Sequence, residues 1–139
     1  MSLLLHNSGM LVEAPFNVIT SQIIASAIEV HRTVGPGLLE STYMPCLTYE
    51  LAARGLRYLQ QRSIPIVYKG VVLDSSYRVD LIVQDTVVVE IKSVDQLLAV
   101  HHARLLTYLK LTGCAAGLLI NFNVPRLVDG VKRVIAAAA

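Results

Sequence analysis

The sequence has few of the residues that mark a specialised class of protein. It has no tryptophan and only two cysteines, Cys46 and Cys114, which stand alone in apolar surroundings with neither a CxxC motif nor the spacing of metal ligands. Unpaired thiols in such surroundings pack as small hydrophobic groups, so we expect both to be buried and reduced. These features exclude a disulfide scaffold and a zinc module, and they favour a cytoplasmic location.

Long apolar runs and strong charge are missing as well. No stretch of about 18 consecutive apolar residues occurs, so no membrane contact is predicted, and the amino terminus lacks the basic flank of a secretory signal. The formal net charge of +2 is too small to indicate a nucleic-acid-binding protein by itself. Any basic surface must therefore come from local clustering.

The residues that are present describe a globular chain of one domain. Of 139 residues, 54% are hydrophobic and 16% are charged, which is enough apolar material to bury a core. We expect a flexible arm over residues 1–16, where no clear period is seen, and a single domain over residues 17–139.

Apolar residues spaced three and four apart predict two helices in the first part of the chain. The first covers residues 18–34 and the second residues 41–54. Pro45 is awkward in the second helix, because proline in a helix interior costs about 3 kcal/mol. We therefore expect this helix to begin or bend near residues 42–44.

The pattern changes to β between residues 58 and 92. Alternating β-branched residues predict one hairpin around Lys69-Gly70 and a second over residues 77–92. Residues 93–96 have the form of a capping box, which predicts a third helix that ends near residue 111. A buried strand over residues 115–122 and a short final helix over residues 127–136 complete the chain. This order predicts an α/β or α+β fold in which helices pack on a sheet.

Each strand of the second hairpin carries one acid among apolar residues, Asp80 in RVDLIV and Glu90 in VVVEIK. If the turn has the three residues 84–86, Asp80 lies opposite Glu90, with Cβ atoms about 4.5–5.5 Å apart. Lys92 follows Glu90 by two residues and points to the same face. A two-residue turn would send the acids to opposite faces.

Two adjacent carboxylates in a partly dry site need a positive charge beside them, because like charges and burial both raise a carboxyl pKa. Lys92 supplies one charge, and a divalent cation would supply the rest. Oxygen ligands favour Mg²⁺. The alternative is a solvated strand face with an ordinary ion pair, which a short D…ExK pattern more often represents.

Several further blocks carry a resemblance to a known family. GPGLLESTY contains G-x-x-E-x-x-Y as Gly37, Glu40 and Tyr43, and YKGVVLDSSYRVDLIV, VVVEIKSV and LLTYLKLTG follow in order. Over about residues 18–135 the chain resembles the bacterial GxxExxY proteins, which are assigned to the PD-(D/E)XK nuclease superfamily. The resemblance implies a restriction-endonuclease-like core, with a central mixed four-stranded sheet flanked by helices and a metal site on a bent hairpin.

The resemblance also implies roles for particular residues. Asp80, Glu90 and Lys92 would be catalytic, and the function would be hydrolysis of nucleic-acid phosphodiester bonds. Asp80, Glu90, Glu40 and the carbonyl of Ile91 would bind Mg²⁺ or Mn²⁺, while Lys92 would position the attacking water.

Related nucleases often carry Q-x-x-x-Y on the helix after ExK, and Arg104 and Tyr108 occupy the matching positions here. Both are assigned to substrate binding, and His101 shares their helical stripe. The expected partner is a nucleic acid, with DNA favoured over RNA. Two alternatives stay open: a catalytically inactive nucleic-acid- or protein-binding module with a nuclease fold, and a homodimer with a composite site.

Overall fold

The computed structural model describes residues 3–5, 11–13, 15–73 and 77–137. Three helices are present in these ranges: α1 (Pro15–Val34), α2 (Glu40–Ala53) and α3 (Ala99–Thr112). Nine strands accompany them: β1 (Leu3–Leu5), β2 (Leu11–Glu13), β3 (Tyr58–Ser63), β4 (Ile66–Tyr68), β5 (Val71–Leu73), β6 (Arg78–Val83), β7 (Val87–Lys92), β8 (Ala116–Asn121) and β9 (Val131–Ile135).

A five-stranded sheet in the order β3-β6-β7-β8-β9 forms the centre of the fold. Its neighbours are antiparallel except β7 and β8, which are parallel and are connected through α3. Helices α1 and α2 cover one face, and α3 covers the other. The predicted fold class is confirmed, since this is a mixed sheet flanked by helices, and the sheet has one strand more than expected.

Strand β7 is central and is buried from both sides. Val87, Val89 and Ile91 pack against α1 and α2, whereas Val88 packs on the α3 side. A strand covered on both faces has to be apolar throughout, and β7 is so except near its end. Glu90 is the exception: it is an acidic residue, and yet it is only 6% exposed.

Tyr43 holds the loop between α1 and α2. Its hydroxyl donates a hydrogen bond to the carbonyl of Gly35 (2.7 Å) and accepts one from the amide of Leu38 (3.2 Å). The buried ring stacks on Phe122, with ring centroids 4.4 Å apart. Gly37 has φ +89°, a conformation that a side chain would strain. The outer residues of G-x-x-E-x-x-Y therefore shape the loop that positions Glu40.

Helix α2 begins at Glu40, so a start near residues 42–44 is wrong, whereas the alternative of a bend there stays a prediction. Leu39 is extended, and its carbonyl accepts the amide hydrogens of Thr42 (2.9 Å) and Tyr43 (3.2 Å). Pro45 therefore lies inside the helix, where it removes one backbone hydrogen bond. The buried anchors on this helix, among them Tyr43 and Leu47, favour the helix in spite of that loss.

Helix α3 begins at Ala99, so the capping box predicted at residues 93–96 is wrong. The Ser93 hydroxyl instead donates to the carbonyl of Leu38, in the loop before α2. The predicted end is confirmed: Gly113 adopts φ +71°, and its amide bonds the carbonyl of Leu109 (3.0 Å).

The carboxyl-terminal segment differs from its prediction. In place of a helix over residues 127–136, one 3-10 turn (Leu127–Gly130) leads into β9, which pairs antiparallel with β8. The β-branched residues Val131, Val134 and Ile135 suit a strand, and β8 offers a free edge to pair with. Pairing with a distant partner outweighed the local helical pattern.

The remaining expectations concern the amino-terminal arm, the cysteines and the membrane. Strands β1 and β2 pair with each other, and residues 1–2, 6–10 and 14 of the expected arm lie outside the described residues, so the domain boundary stays a prediction. Cys114 is buried and Cys46 half-buried, both unpaired. No helix in the described ranges is long and apolar enough to span a membrane.

A substitution at Gly130, the residue before β9, tests how closely this segment packs on the end of β8. A methyl group added there would lie 2.1 Å from the carbonyl oxygen of Asn121, which is backbone and has little freedom to move. Gly130→Ala should lower the free energy of unfolding, measured by urea denaturation, by at least about 2 kcal/mol. The control Val128→Ala, at an exposed position of the same turn, should change it by less than about 0.5 kcal/mol. Equal stability of the two variants would contradict this packing.

Candidate active site

The hairpin of β6 and β7 has the register of the three-residue turn, one of the two that the sequence leaves open. Val83 pairs with Val87, Ile82 with Val88 and Leu81 with Val89, around a turn of residues 84–86. Gln84 and Asp85 in this turn adopt the left-handed conformation, with φ of +53° and +54°. Continuing the register by one step places Asp80 opposite Glu90.

At the position where Asp80 lies opposite Glu90, the two carboxylates accept hydrogen bonds from the backbone of the opposite strand. The amide of Asp80 donates to Oε1 of Glu90 (3.1 Å), and the amide of Ile91 donates to Oδ2 of Asp80 (2.7 Å). Each carboxylate is thus fixed by the backbone of the opposite strand. The two side chains are held next to each other at the end of the hairpin.

Strand β6 is irregular at the position of its acid. Pairs with β3 form on either side of Asp80 and Gln61, but these two residues are not paired, and Gln61 has φ +55°. Val79 and Ile82 both pack in the α3 layer, whereas Leu81 packs on the opposite face. Strict alternation is therefore broken around Asp80, in keeping with the bent hairpin that the family resemblance implies.

Burial and mutual repulsion make this pair of acids reluctant to carry two charges. Burial, and then the charge of Asp80, raises the pKa of Glu90 to about 8, against the effects of the Asp80 amide and Lys92. Burial also raises the pKa of Asp80, opposed by the Ile91 amide and by Lys92. Without a further cation, the pair therefore favours holding a proton. The pair is therefore a place where added positive charge is favoured.

Lys92 lies on the same strand as Glu90 and is half-buried. Its charge lowers the pKa of both acids, so the ammonium group lies within electrostatic reach of each. The structure thus brings together the three residues that the sequence assigned to catalysis, although their catalytic role stays a prediction.

Glu40 stands at the margin of this group. Its Oε2 accepts a hydrogen bond from the amide of Ser93 (3.1 Å), just past the end of β7, and its charge raises the pKa of Asp80. Within the ranges that the structure describes, no three His, Cys, Asp or Glu side chains converge closely enough to hold a metal ion. Glu40 and the carbonyl of Ile91 therefore stay predictions as ligands.

Comparison with known proteins agrees with this arrangement. A family model of the PD-(D/E)XK nuclease superfamily matches residues 17–134. The chain belongs to the PD-(D/E)XK nuclease superfamily. No curated protein and no solved structure matches it. The superfamily and the fold inferred from the sequence are thus confirmed, whereas membership of the GxxExxY proteins stays a resemblance.

The donor set suits the chemistry of this superfamily. PD-(D/E)XK nucleases generally use divalent metal ions. Asp80 and Glu90 offer carboxylate oxygens, which hard cations such as Mg²⁺ prefer. Both carboxyl groups have a raised pKa, so the pair binds a proton readily. A metal ion would have to displace this proton in order to bind.

Helix α3 lines the other side of this superfamily site. Tyr108 is buried, and its pKa is raised first by burial and then by the charge of Glu90, so the ring lies near the acids. Arg104 is exposed one turn earlier, and its charge acts on Tyr108 in the opposite direction. The structure therefore places both of these residues beside β6 and β7, while their role in substrate binding stays a prediction.

His101 also belongs to this surface, although the sequence did not assign it. Its Nδ1 accepts the amide hydrogen of Leu98 (3.0 Å), which leaves the proton of a neutral ring on Nε2. Burial, and then the charges of Lys92 and Arg104, lowers the pKa of His101. The spacing of His101, Arg104 and Tyr108 on one helical stripe was the available signal.

The acid pair predicts an unusual dependence of stability on pH. The folded-state pKa of Glu90, about 8, exceeds its ordinary value of 4.5, so between these values the folded state binds the proton more tightly than the unfolded state. In metal-free buffer the free energy of unfolding should fall by about 1–3 kcal/mol as the pH rises from about 5 to about 8. Glu90→Gln should remove most of this fall.

Urea denaturation at several pH values in the presence of EDTA measures this effect. Asp129→Asn removes an exposed acid that is not among the groups shifting the pKa of Asp80 or Glu90, so it should keep the wild-type slope. A wild-type stability that stays flat or increases over this pH range would show that Glu90 is ionised in the folded protein.

Proposed function

We propose that this protein is a divalent-metal-dependent nuclease that hydrolyses phosphodiester bonds of nucleic acid, with Mg²⁺ or Mn²⁺ as its ion and DNA favoured over RNA. One observation carries the proposal: Asp80 and Glu90 are held side by side by reciprocal hydrogen bonds, and the charge of Lys92 lowers the pKa of both. Membership of the PD-(D/E)XK nuclease superfamily supports it.

Asp80 and Glu90 would hold the ion, with the carbonyl of Ile91 and the carboxylate of Glu40 as further ligands. When bound, a divalent ion supplies a Lewis acid that polarises the phosphodiester and neutralises developing negative charge. The two backbone amides that bond the carboxylates keep these oxygens in place without a cost of reorganisation.

Lys92 and helix α3 would act on the substrate directly. An ammonium group has three donors and no acceptor, so Lys92 orients an attacking water by donating to its oxygen and stabilises the charge that forms on the phosphate. Arg104 is exposed and always charged, and its planar guanidinium group suits a second phosphate of the strand.

A catalytically inactive binding module is the second candidate, and two observations favour it. Among the described residues, no third acid completes a metal-binding group with Asp80 and Glu90. Arg104 also occupies the position where related nucleases often carry glutamine. Such a module would bind a nucleic acid or a protein on the same surface without cleaving it.

Lys92→Ala separates catalysis from ion binding. If Lys92 orients the water, its loss should reduce the rate of cleavage by at least about 100-fold. The affinity for Mg²⁺, measured by calorimetry, should change little, because both carboxylates remain. The matched control Lys110→Ala removes an exposed lysine at the far end of α3 and should cleave like the wild type. Unimpaired cleavage by Lys92→Ala would exclude Lys92 as the catalytic lysine.

Asp80→Asn tests the ion site itself. The substitution keeps the shape of the side chain but removes its charge. The affinity for Mg²⁺ or Mn²⁺, measured by calorimetry, and the rate of cleavage should each fall by at least about tenfold. Asp129→Asn, at an exposed position of the carboxyl-terminal 3-10 turn, should leave both unchanged. A wild-type protein with no metal-dependent heat and no cleavage of single- or double-stranded DNA would favour the inactive module.

A further inference from the structure

A cavity lies beside the proposed catalytic site, between α3 and the start of β4. Its volume is about 290 Å³, just below the range of roughly 300–1,000 Å³ found for small-ligand sites. Tyr108 lines this cavity and also lies near Asp80 and Glu90, whose charges act on it. The cavity therefore adjoins the acid pair.

The walls of the cavity have a distinct chemistry. Ile66, Val100 and Leu111 provide aliphatic surface, while Tyr77 and Tyr108 provide aromatic rings. None of its lining residues is acidic, although acids lie close by. Such walls suit a flat, uncharged ring rather than a cation or a sugar.

The polar groups of the cavity suit a ring that is attached to a phosphate. Arg104 is the charged residue of the lining, and it is exposed, so its guanidinium group can meet an anion outside while the cavity holds an apolar group. Thr107 adds a hydroxyl, which donates its hydrogen to the carbonyl of Ala103 (3.2 Å) and can still accept one from a ligand. A nucleotide combines the two features that this lining recognises.

Hairpin β4–β5 extends the same surface. Ile66 lines the cavity, and Tyr68, two residues further along β4, projects from the same face of the strand and is exposed. The ammonium group of Lys69 lies 5.5 Å from the centre of the Tyr68 ring. An exposed aromatic ring with an adjacent cation is typical of surfaces that bind single strands.

We propose that the cavity beside α3 binds one unpaired nucleobase of the substrate, so that the protein prefers single-stranded or locally unpaired nucleic acid to a regular duplex. A base within a duplex is stacked on both sides and would have to leave the stack to enter, which costs free energy that an unpaired base does not spend. This inference rests on the proposed function in one respect, because the proposed nuclease activity is what makes nucleic acid the ligand of this surface.

Fluorescence anisotropy with labelled DNA in EDTA tests the cavity without cleavage. The probes are a thymidine strand of about 12 nucleotides, an abasic strand of equal length and a duplex. The intact strand should bind about tenfold more tightly than the abasic strand, because their phosphates are the same and only the bases differ. It should also bind about tenfold more tightly than the duplex.

Thr107→Trp should fill the cavity, abolish the preference for the intact strand and leave the affinity for the abasic strand unchanged. The matched control Leu106→Trp adds the same ring at an exposed neighbouring position outside the cavity and should keep the preference. Circular dichroism of both variants establishes that they fold. Equal affinity of the wild type for intact and abasic strands, no binding to either, or an undiminished preference in Thr107→Trp would overturn the proposal.

Cleavage of the same strands with Mg²⁺ distinguishes this inference from the proposed function. A wild-type protein that prefers the intact strand but cleaves nothing overturns the nuclease and supports the cavity. A protein that cleaves intact and abasic strands at equal rates, with equal affinities, supports the nuclease and overturns the cavity.

Discussion

Two acids that repel each other are held together by the backbone of one hairpin, and the proposed site depends on this constraint. The amides of Asp80 and Ile91 bond the carboxylates across the strands, while β7 is buried on both faces by the helices. Water is thereby kept from Glu90, and burial together with the charge of Asp80 raises its pKa to about 8. Buried acids with raised pKa values, in a core that is otherwise apolar, are typical of a functional site and contribute little to packing.

Elements far apart in the sequence meet at the end of this hairpin. Tyr43 closes the loop before α2, and that loop places Glu40 where it bonds the amide of Ser93. On the other face, α3 brings Tyr108 and His101 within electrostatic reach of the acids and of Lys92. Tertiary packing therefore brings the start of α2 and one face of α3 to the end of the hairpin.

The acid pair could be predicted from the sequence because it depends on local geometry, whereas other features depend on distant partners. Strand alternation and the length of one turn determine whether Asp80 faces Glu90. Ser93 looked like a helix cap, but its hydroxyl bonds Leu38 across the fold. Residues 131–135 looked helical, but β8 provided a strand to pair with. The nearness of Glu40 likewise arises from tertiary packing, which spacing along the chain does not encode.

Little free energy is needed to move the Glu40 side chain, which would add a third carboxylate to Asp80 and Glu90. Glu40 is engaged by one hydrogen bond, to the amide of Ser93 at an exposed position. A bond of this kind contributes on the order of 1–2 kcal/mol, since water can replace the carboxylate as acceptor. Movement of the Glu40 side chain would need no change in the helix that carries it, because α2 is anchored by the buried Tyr43 and Leu47. The hairpin therefore sets where an ion would bind, and the start of α2 sets how many carboxylates it would meet.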